Sequence, residues 1–380
     1  MITNNLNQEN KLDLKPFLDG KDCHFCNKPM IKDGKVTGDL YVNKDEKWAS
    51  HKACYIKTKK PEEITMGVMM HCHSIGDTIT VTPVLRELRR LYPQAKIDLI
   101  TCFPELFKYN RYVTNVLAWD AEKNRDRMIR YDFQFIPFQP DNKVFPQHCS
   151  THSVDFVMYG AFRRSLPLSK QHYTVEYTYH EENSVNKKCK DFIDNPFILI
   201  HPYGTEWPSR SFPQEFWQGF IEEIKKEYPD YELVSIGGSR KEMKEHEMNN
   251  FLELNGVISM YNKLSLLESL CLMNSAKAII TSDTGTLHLA GCADETPILG
   301  LFSVIRSRHR LPVRNGEKGY NFVAVDGECN CTDNHTLMDG DMNLTTCPRG
   351  YEKYRCFPTV ERAMQGLNRL MYFYNDEPLK

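Results

Sequence analysis

The sequence lacks a hydrophobic run long enough to cross a membrane. No stretch of its 380 residues approaches the roughly 18 consecutive apolar residues that a spanning helix needs. The polar start MITNNLNQEN also has none of the features of a signal peptide. We therefore expect a cytoplasmic protein without a membrane span.

An excess of charge of either sign is also missing. The formal net charge is −2, so the overall balance does not indicate a polyanionic partner, and any contact with nucleic acid must depend on local basic patches. The hydrophobic share of 41% and the charged share of 26% are typical of a globular protein. The length predicts two domains with a smaller appendage.

Cysteine, by contrast, is plentiful, and most of it falls into two clusters. The first has the pattern C-x2-C, x24, H-x2-C, formed by Cys23, Cys26, His51 and Cys54. Two such pairs can converge on one tetrahedral Zn²⁺. Because all four ligand positions are filled by the protein, a structural zinc is favoured over a catalytic one. Residues 1–61 are thus predicted to form a zinc-finger-like module.

The first half of the remaining chain, residues 62–185, alternates strand and helix patterns. In a parallel sheet of this kind, ligands bind beyond the carboxyl ends of the strands, where Ser74, Gly76 and Asp77 follow the first strand. From spacing alone, Asp77 either faces a cleft or caps the next helix, and both interpretations stay open. The predicted strands are 64–72, 96–100, 113–117 and 133–136.

The second half, residues 186–356, repeats this pattern and contains the most informative stretch, 277–303. There a strand ends at Asp283, Thr284 and Gly285, a helix follows with His288 about one turn in, and a second strand comes next. Unpaired N–H groups at such a helix start form an anion site. We interpret the stretch as a phosphate cradle.

Three further groups of residues are basic or aromatic. A solvated surface and a phosphate contact both remain open for the two basic groups, and the aromatic group is interpreted as ordinary domain surface unless the substrate is a nucleic acid. The groups are Lys52, Lys57, Lys59 and Lys60; Arg306, Arg308, His309, Arg310 and Arg314; and, within 138–190, Tyr159, Tyr173, Tyr177 and Tyr179 among others.

Several of these motifs together resemble a known family. The S-x-G-D turn with T-P-V-L-R-E-L-R-R-L-Y-P, followed much later by D-T-G-T-L-H-L-A-G and P-I-L-G-L-F, is similar to the heptosyltransferase-like glycosyltransferases of family 9. The resemblance covers residues 64 to about 370. It implies the α/β GT-B fold, in which two Rossmann-like domains face each other across a cleft, and metal-independent, inverting transfer.

The resemblance also assigns roles to residues. Asp77 becomes the general base, and Arg210 contacts the donor diphosphate at a position where the family more often has Lys. Asp283 is assigned to donor binding, and a helix cap is its alternative role. The remaining donor-binding positions are Ser74, Gly76, Gly237, Gly238, Thr284, Gly285 and His288. A leaving diphosphate gains negative charge, which Arg210 and helix N–H groups can stabilise without a divalent ion. We expect no catalytic metal, and Asp339-Gly-Asp341 is taken as a chance D-x-D.

The second cysteine cluster lies within 329–356. Cys329, Cys331, Cys347 and Cys356 are spaced C-x-C, x15, C, x8, C. A comparable finger in family members implies a structural metal, zinc or iron, whereas disulfides or thiols remain open because C-x-C is unusually tight. The final segment, 357–380, is predicted to be a helix that packs on the N-terminal domain.

The predicted function is transfer of a sugar from a UDP- or ADP-linked donor to an acceptor hydroxyl. We lean to hydroxymethylated cytosine in phage DNA as acceptor, because of the finger, the lysines and Arg306, Arg308 and Arg310. The alternatives are heptosyltransferase-type transfer to lipopolysaccharide core, another glycan or a protein, and a non-catalytic module that only binds. The sequence does not indicate an oligomeric state.

Overall fold

The fold was analysed in a computed structural model of the chain. The structure describes residues 22, 27–28, 31–32, 35–36, 40–43, 48–70, 74–137, 152–162, 166–204, 210–238, 252–328 and 356–375. Among the described helices, none is both long enough and apolar enough to cross a lipid bilayer.

The N-terminal region contains two short antiparallel strand pairs. The turn signal at Lys32-Asp33-Gly34 predicts a hairpin, and β1 and β2 do pair, with Ile31 opposite Val36. The described elements are β1 (Ile31–Lys32), β2 (Lys35–Val36), β3 (Leu40–Asn43), β4 (Trp48–His51) and α1 (Lys52–Ile56).

The predicted zinc site falls largely outside the described residues. Cys23 and Cys26 lie there, as does the side chain of His51. Only Cys54, which is half-buried in α1, has a described side chain. The zinc site therefore stays a prediction.

The chain folds into two compact units. The first comprises Met1–His71, Leu85–Cys102 and Arg111–Pro137, and the second comprises Cys72–Val84, Phe103–Asn110 and Phe138–Lys380. The segment that carries Ser74 and Asp77 thus belongs to the second unit. The domain boundaries expected from the sequence stay a prediction.

A parallel sheet forms the centre of the first unit. Its four described strands are ordered β7-β6-β5-β8, and every neighbouring pair is parallel. The central strand β5 is a largely apolar run with four of its six residues buried, as expected for a strand covered on both faces. The elements from here to the end of the sheet are β5 (Thr65–Met70), α2 (Ile75–Ile79), α3 (Thr82–Leu91), β6 (Lys96–Thr101), β7 (Asn115–Ala118), α4 (Ala121–Ile129) and β8 (Phe133–Phe135).

One lysine of the basic exit from the N-terminal region is fixed within this unit. Lys59 Nζ lies 2.8 Å from both carboxylate oxygens of Asp132, and Asp132 also accepts a hydrogen bond from the Thr65 backbone N–H at 2.8 Å. Both charged side chains are mostly buried. Lys59 therefore holds the start of β5, and its charge is neutralised there.

The second unit contains a larger parallel sheet. Its described strands are ordered β11-β10-β9-β12-β13-β16, which is the Rossmann order with β9 as first strand. The elements are α5 (Ser153–Phe162), α6 (Tyr179–Lys188), β9 (Phe197–His201), α7 (Gln214–Glu227), β10 (Glu232–Ser235), β11 (Ile258–Ser259), α8 (Leu266–Ser275), β12 (Ala278–Ser282), α9 (Gly285–Ala290), β13 (Ile298–Phe302), β14 (Val313–Arg314), β15 (Glu317–Lys318), β16 (Phe322–Asp326) and α10 (Val360–Asn375).

The strand order of this sheet reverses between β9 and β12. Ligands of open α/β sheets bind at such a switch point, beyond the carboxyl ends of the strands. The two strands are adjacent, with His201 paired to Thr281 at their ends. We therefore expect a ligand to bind next to the residues that follow Thr281.

The C-terminal helix packs differently from our expectation. Ala363, Leu367, Leu370 and Met371 of α10 are at most 1% exposed, and they lie in the core formed by the second sheet and α7. The prediction that this apolar stripe packs on the N-terminal domain is therefore wrong. The helical spacing predicts the stripe, but the choice between two apolar partners depends on tertiary packing.

Candidate active site

The predicted strand-turn-helix at the end of β12 is confirmed. Ser282 is the last residue of β12, and α9 begins at Gly285. Thr284 is the N-cap of α9, so Asp283 is not the helix cap that we considered as its alternative role. Asp283 is 3% exposed and Thr284 is 5% exposed, so both polar side chains are enclosed by protein.

The turn that follows β5 also begins with a capped helix. Ser74 is the N-cap of α2, and its Oγ accepts a hydrogen bond from the Asp77 backbone N–H at 3.3 Å. The alternative in which Asp77 is the cap is therefore wrong. Among the described residues, the half-buried carboxylate of Asp77 forms no hydrogen bond or ion pair. It is chemically available to a ligand.

These two turns lie against each other within the second unit. A Cβ added to Gly76 would be 2.6 Å from His288 Cδ2, and one added to Gly285 would be 2.9 Å from the Cβ of Ile75. Contacts this short leave no room for a side chain, which explains the glycine in each motif. Two motifs that are far apart in the sequence thus form one site.

Replacing Gly76 with Ala is expected to destabilise the protein. The new methyl group overlaps the His288 ring, and overpacking of this kind costs about 1–3 kcal/mol. Gly219→Ala is the matched control, because its Cβ would lie 3.7 Å from Val360 Cγ2, an ordinary contact. The free energy of unfolding, measured in urea, should fall for Gly76→Ala but not for Gly219→Ala. Equal free energies for the two variants would contradict the close contact between Gly76 and His288.

His288 is a neutral, buried imidazole in this site. Burial lowers its pKa to about 4, although the negative charges of Asp283 and Asp77 raise it in part. Its Nδ1 lies 3.1 Å from the hydroxyl of Tyr173, whose own pKa is raised by burial. When Tyr173 donates to Nδ1, the proton of the neutral ring is at Nε2. His288 can then donate an N–H to a ligand oxygen.

A second buried histidine lies at the end of β9. The Nδ1 of His201 is 3.5 Å from the Thr284 hydroxyl, and burial lowers the His201 pKa to about 4. The ring also makes an edge contact with Tyr203, at 5.8 Å between centroids. His201 therefore supports Thr284 from the neighbouring strand as a neutral group.

Arg210 and Asp283 form the charged part of the site. Arg210 Nη2 lies 3.1 Å from Asp283 Oδ2 and also donates to the Asp283 backbone carbonyl. The distance defines an ion pair, but neither carboxylate oxygen accepts a hydrogen bond of good geometry from a described residue. Asp283 thus keeps unused acceptor capacity in a nearly dry environment, which is a reason to expect a polar ligand there.

The glycine pair after β10 is also closely packed. A Cβ at Gly237 would overlap the Tyr203 ring, and one at Gly238 would be 3.0 Å from Asn262 Oδ1. The Gly237 carbonyl accepts a hydrogen bond from the Asn262 N–H at 2.9 Å. A role in turn geometry accounts for both glycines, and their predicted donor contact stays a prediction.

The three arginines predicted to bind the acceptor have different surroundings. Arg306 donates to the Gly327 carbonyl at 2.7 Å, and Arg308, which is exposed, donates to His309 at 3.1 Å. Arg310 is only 6% exposed. Its positive charge lowers the pKa of His288, which places it within electrostatic reach of the site. The sequence does not separate these three environments.

The second cysteine cluster cannot be placed as a whole, because Cys329, Cys331 and Cys347 lie outside the described residues. Cys356 is buried and its backbone is in contact with Gly327. No cluster of three potential metal ligands occurs among the residues that the structure describes. The second metal site therefore also stays a prediction.

Two residues of the site were not identified as such from the sequence. Tyr173 was grouped with surface aromatics, yet it is 6% exposed and contacts His288. His201 was not predicted to belong to the site. Both contacts join residues that are distant in the chain, so no local signal reveals them.

Known proteins show what this arrangement is similar to. Residues 141–325 match the family model described as glycosyltransferase family 9 (heptosyltransferase). No curated protein sequence matches the chain.

Solved structures show the same fold at low sequence identity. A family 9 glycosyl transferase from Veillonella parvula DSM 2008 is 15% identical with a TM-score of 0.59, over 81% of this chain and 97% of that one. ADP-heptose LPS heptosyltransferase II of E. coli is 16% identical with a TM-score of 0.58, over 81% and 99%. The iron-containing dodecameric glycosyltransferase TibC of enterotoxigenic E. coli H10407 is 14% identical with a TM-score of 0.58, over 83% and 80%.

The strand order of both sheets, the fold likeness and the family match agree with one another. The chain has the GT-B fold, carries a domain of glycosyltransferase family 9 at residues 141–325, and is a glycosyltransferase.

Proposed function

We propose that the protein transfers a sugar from a nucleotide-diphosphate donor to an acceptor hydroxyl by direct displacement, with inversion and without a catalytic metal. One observation carries this proposal. The available carboxylate of Asp77 lies in the same site as His288 and Asp283, because Gly76 and Gly285 let their two turns touch. A base and a set of groups for the donor are thus present together.

The reaction requires one proton acceptor. Asp77 takes the proton from the acceptor hydroxyl, and the oxygen attacks the anomeric carbon of the donor sugar. The bond between that carbon and the diphosphate oxygen breaks, and its electron pair leaves with the nucleoside diphosphate. Attack from the face opposite the leaving group inverts the anomeric configuration.

The leaving group needs positive charge and hydrogen-bond donors. Arg210 provides a guanidinium that is 16% exposed, fixed by Asp283 at the end of β12. The neutral His288 can add an N–H donor without the cost of a buried cation. The unused acceptors of Asp283 suit the hydroxyl groups of a sugar. These groups together support the roles assigned to Arg210, Asp283 and His288.

For the substrates, we propose ADP-heptose as donor and a glycan hydroxyl as acceptor. Two of the similar structures are named as heptosyltransferases, one of lipopolysaccharide and one in complex with ADP-heptose. The DNA acceptor has less support, since none of the similar structures named above is described by its name as acting on DNA. In addition, Lys59 and Arg306 are held by Asp132 and the Gly327 carbonyl.

Release of ADP decides between these acceptors. The full chain is incubated with ADP-heptose or UDP-glucose, and with either lipopolysaccharide core or hydroxymethylcytosine-containing DNA. We expect release of ADP from ADP-heptose that is accelerated by the glycan alone. Acceleration by the DNA would restore the nucleic-acid acceptor. Binding of ADP, with no nucleotide released from either donor in the presence of either acceptor, would indicate the non-catalytic module.

We also propose that each cysteine cluster holds one structural metal ion. Gly327, two residues before Cys329 in the sequence, contacts the backbone of Cys356, which suits convergence of the thiolates of the second cluster on one ion. Such ions would stabilise the fold and take no part in the displacement.

Metal analysis of the purified chain tests this assignment. We expect about two equivalents of zinc or iron per chain, one for each set of four protein ligands. Cys26→Ser and Cys331→Ser should each remove one equivalent, whereas Cys271→Ala, which changes a buried thiol in α8, should remove none. An unchanged metal content in Cys331→Ser would contradict the second site.

A further inference from the structure

Arg310 is a buried cation with few partners. Its side chain is 6% exposed, and its Nη1 donates to the backbone carbonyl of His309 at 3.0 Å. Among the described residues, its guanidinium makes no other hydrogen bond and no ion pair. Four of the five N–H donors of an arginine are therefore unused here.

The histidine and tyrosine side chains next to the Arg310 loop carry no charge that would neutralise the guanidinium. The loop that carries Arg310 is tied to His152, whose Nε2 lies 2.9 Å from the Leu311 carbonyl, and to Tyr173, whose N–H donates to the Val313 carbonyl. Burial lowers the pKa of His152 to about 3 and of His288 to about 4, and it raises the pKa of Tyr173. All three side chains are neutral at neutral pH.

Arg314 and Arg210 show how guanidinium groups elsewhere in this protein find partners. Arg314 is 4% exposed and donates from Nε, Nη1 and Nη2 to the backbone carbonyls of Ala293 and Thr296. Arg210 is paired with Asp283. A buried charge without such partners is unfavourable, which is a reason to expect an anion at Arg310.

The position of Arg310 relates this anion to the reaction. Arg310 follows β13, whereas Arg210 and Asp283 are grouped at the end of β12. Tyr173, which contacts His288, lies within electrostatic reach of both Arg310 and Asp77. The loop that carries Arg310 thus borders the Tyr173 and His288 pair, against which the Asp77 turn also packs.

We propose that Arg310 forms an anion subsite of the transfer site and binds a phosphate or carboxylate group carried by the acceptor. This inference depends on the proposed function only in that the molecule carrying the anion is the sugar acceptor. Anion binding at Arg310 can be measured separately from sugar transfer. A planar guanidinium with several unused donors suits bidentate contact with either group.

Inorganic phosphate is the probe that tests the subsite. Isothermal titration calorimetry with the full chain saturated with ADP should show phosphate binding, because ADP fills the donor site and leaves the proposed subsite at Arg310 unoccupied. Arg310→Gln should weaken this phosphate affinity about 10-fold or more, since it removes charge-assisted hydrogen bonds. Arg310→Lys keeps the positive charge but loses the bidentate guanidinium, so it should give an intermediate phosphate affinity. It replaces Arg310→Gln in the experiment if that variant does not fold.

Arg308→Gln is the matched control on the same loop, because Arg308 is exposed. Its phosphate affinity should equal that of the wild type, and an equal loss in both variants would show diffuse attraction to the basic loop. A loss of ADP affinity in Arg310→Gln would assign the anion to the donor diphosphate. Failure of phosphate to bind the ADP-saturated wild type would overturn the subsite, whatever the transfer activity.

Discussion

Asp77→Asn is expected to reduce the kcat for sugar transfer by about 10²–10⁴-fold, which is the usual contribution of a general base. The amide has nearly the same shape as the carboxylate but cannot take the proton from the acceptor hydroxyl. The Ser74 cap should survive, because it involves only the backbone N–H of residue 77. The affinity for ADP should therefore stay unchanged, and kcat is measured from ADP release.

Asp120→Asn controls for the loss of a carboxylate at a helix start. Asp120 caps α4 in the first unit by accepting from the N–H groups of Glu122 and Lys123, and Asn caps a helix equally well. Its kcat should equal that of the wild type. Full transfer activity in Asp77→Asn would show that Asp77 is not the general base. A loss of ADP affinity as large as the loss of kcat would instead assign Asp77 to donor binding.

Arg210→Gln is expected to have the second large effect, on both stability and donor binding. It leaves the Asp283 carboxylate buried without its cation, and breaking a buried ion pair in this way costs about 3–5 kcal/mol. It also removes the cation proposed for the diphosphate, so ADP affinity should fall about 10-fold or more. Urea unfolding and calorimetry measure the two effects separately.

Two further variants separate these effects. Lys123→Gln breaks an ion pair of the same 3.1 Å length that is exposed, and it should change the stability little. Arg210→Gln combined with Asp283→Asn removes both charges and should regain stability without regaining ADP affinity. If Arg210→Gln and Lys123→Gln were equally stable, the buried ion pair would not contribute as described.

The local parts of this site can be predicted from the sequence. The apolar run that stops at the polar cluster 281–285, the helix that follows this cluster, and the corresponding turn after β5 each follow from periodicity and turn residues. The alternation of strands and helices predicts both parallel sheets. The resemblance to family 9 then adds that the two turns belong to one site.

The long-range parts cannot be predicted in this way. The contact between Tyr173 and His288, and the burial of Arg310 next to the exposed Arg308, depend on how the loop after β13 packs. An apolar stripe such as that of α10 indicates burial but not the partner, which is why its expected packing was wrong. Asp77 was ambiguous because a carboxylate near a helix start suits either a cap or a base.

The anomeric configuration of the product tests the central claim most directly. ¹H NMR spectra recorded during the first minutes of the reaction of the wild type with β-linked ADP-heptose identify the new anomer, with the glycan acceptor or with water in its place. Direct displacement with Asp77 as base predicts an α-configured product. A β-configured product would show retention, which requires a different mechanism and would contradict the account.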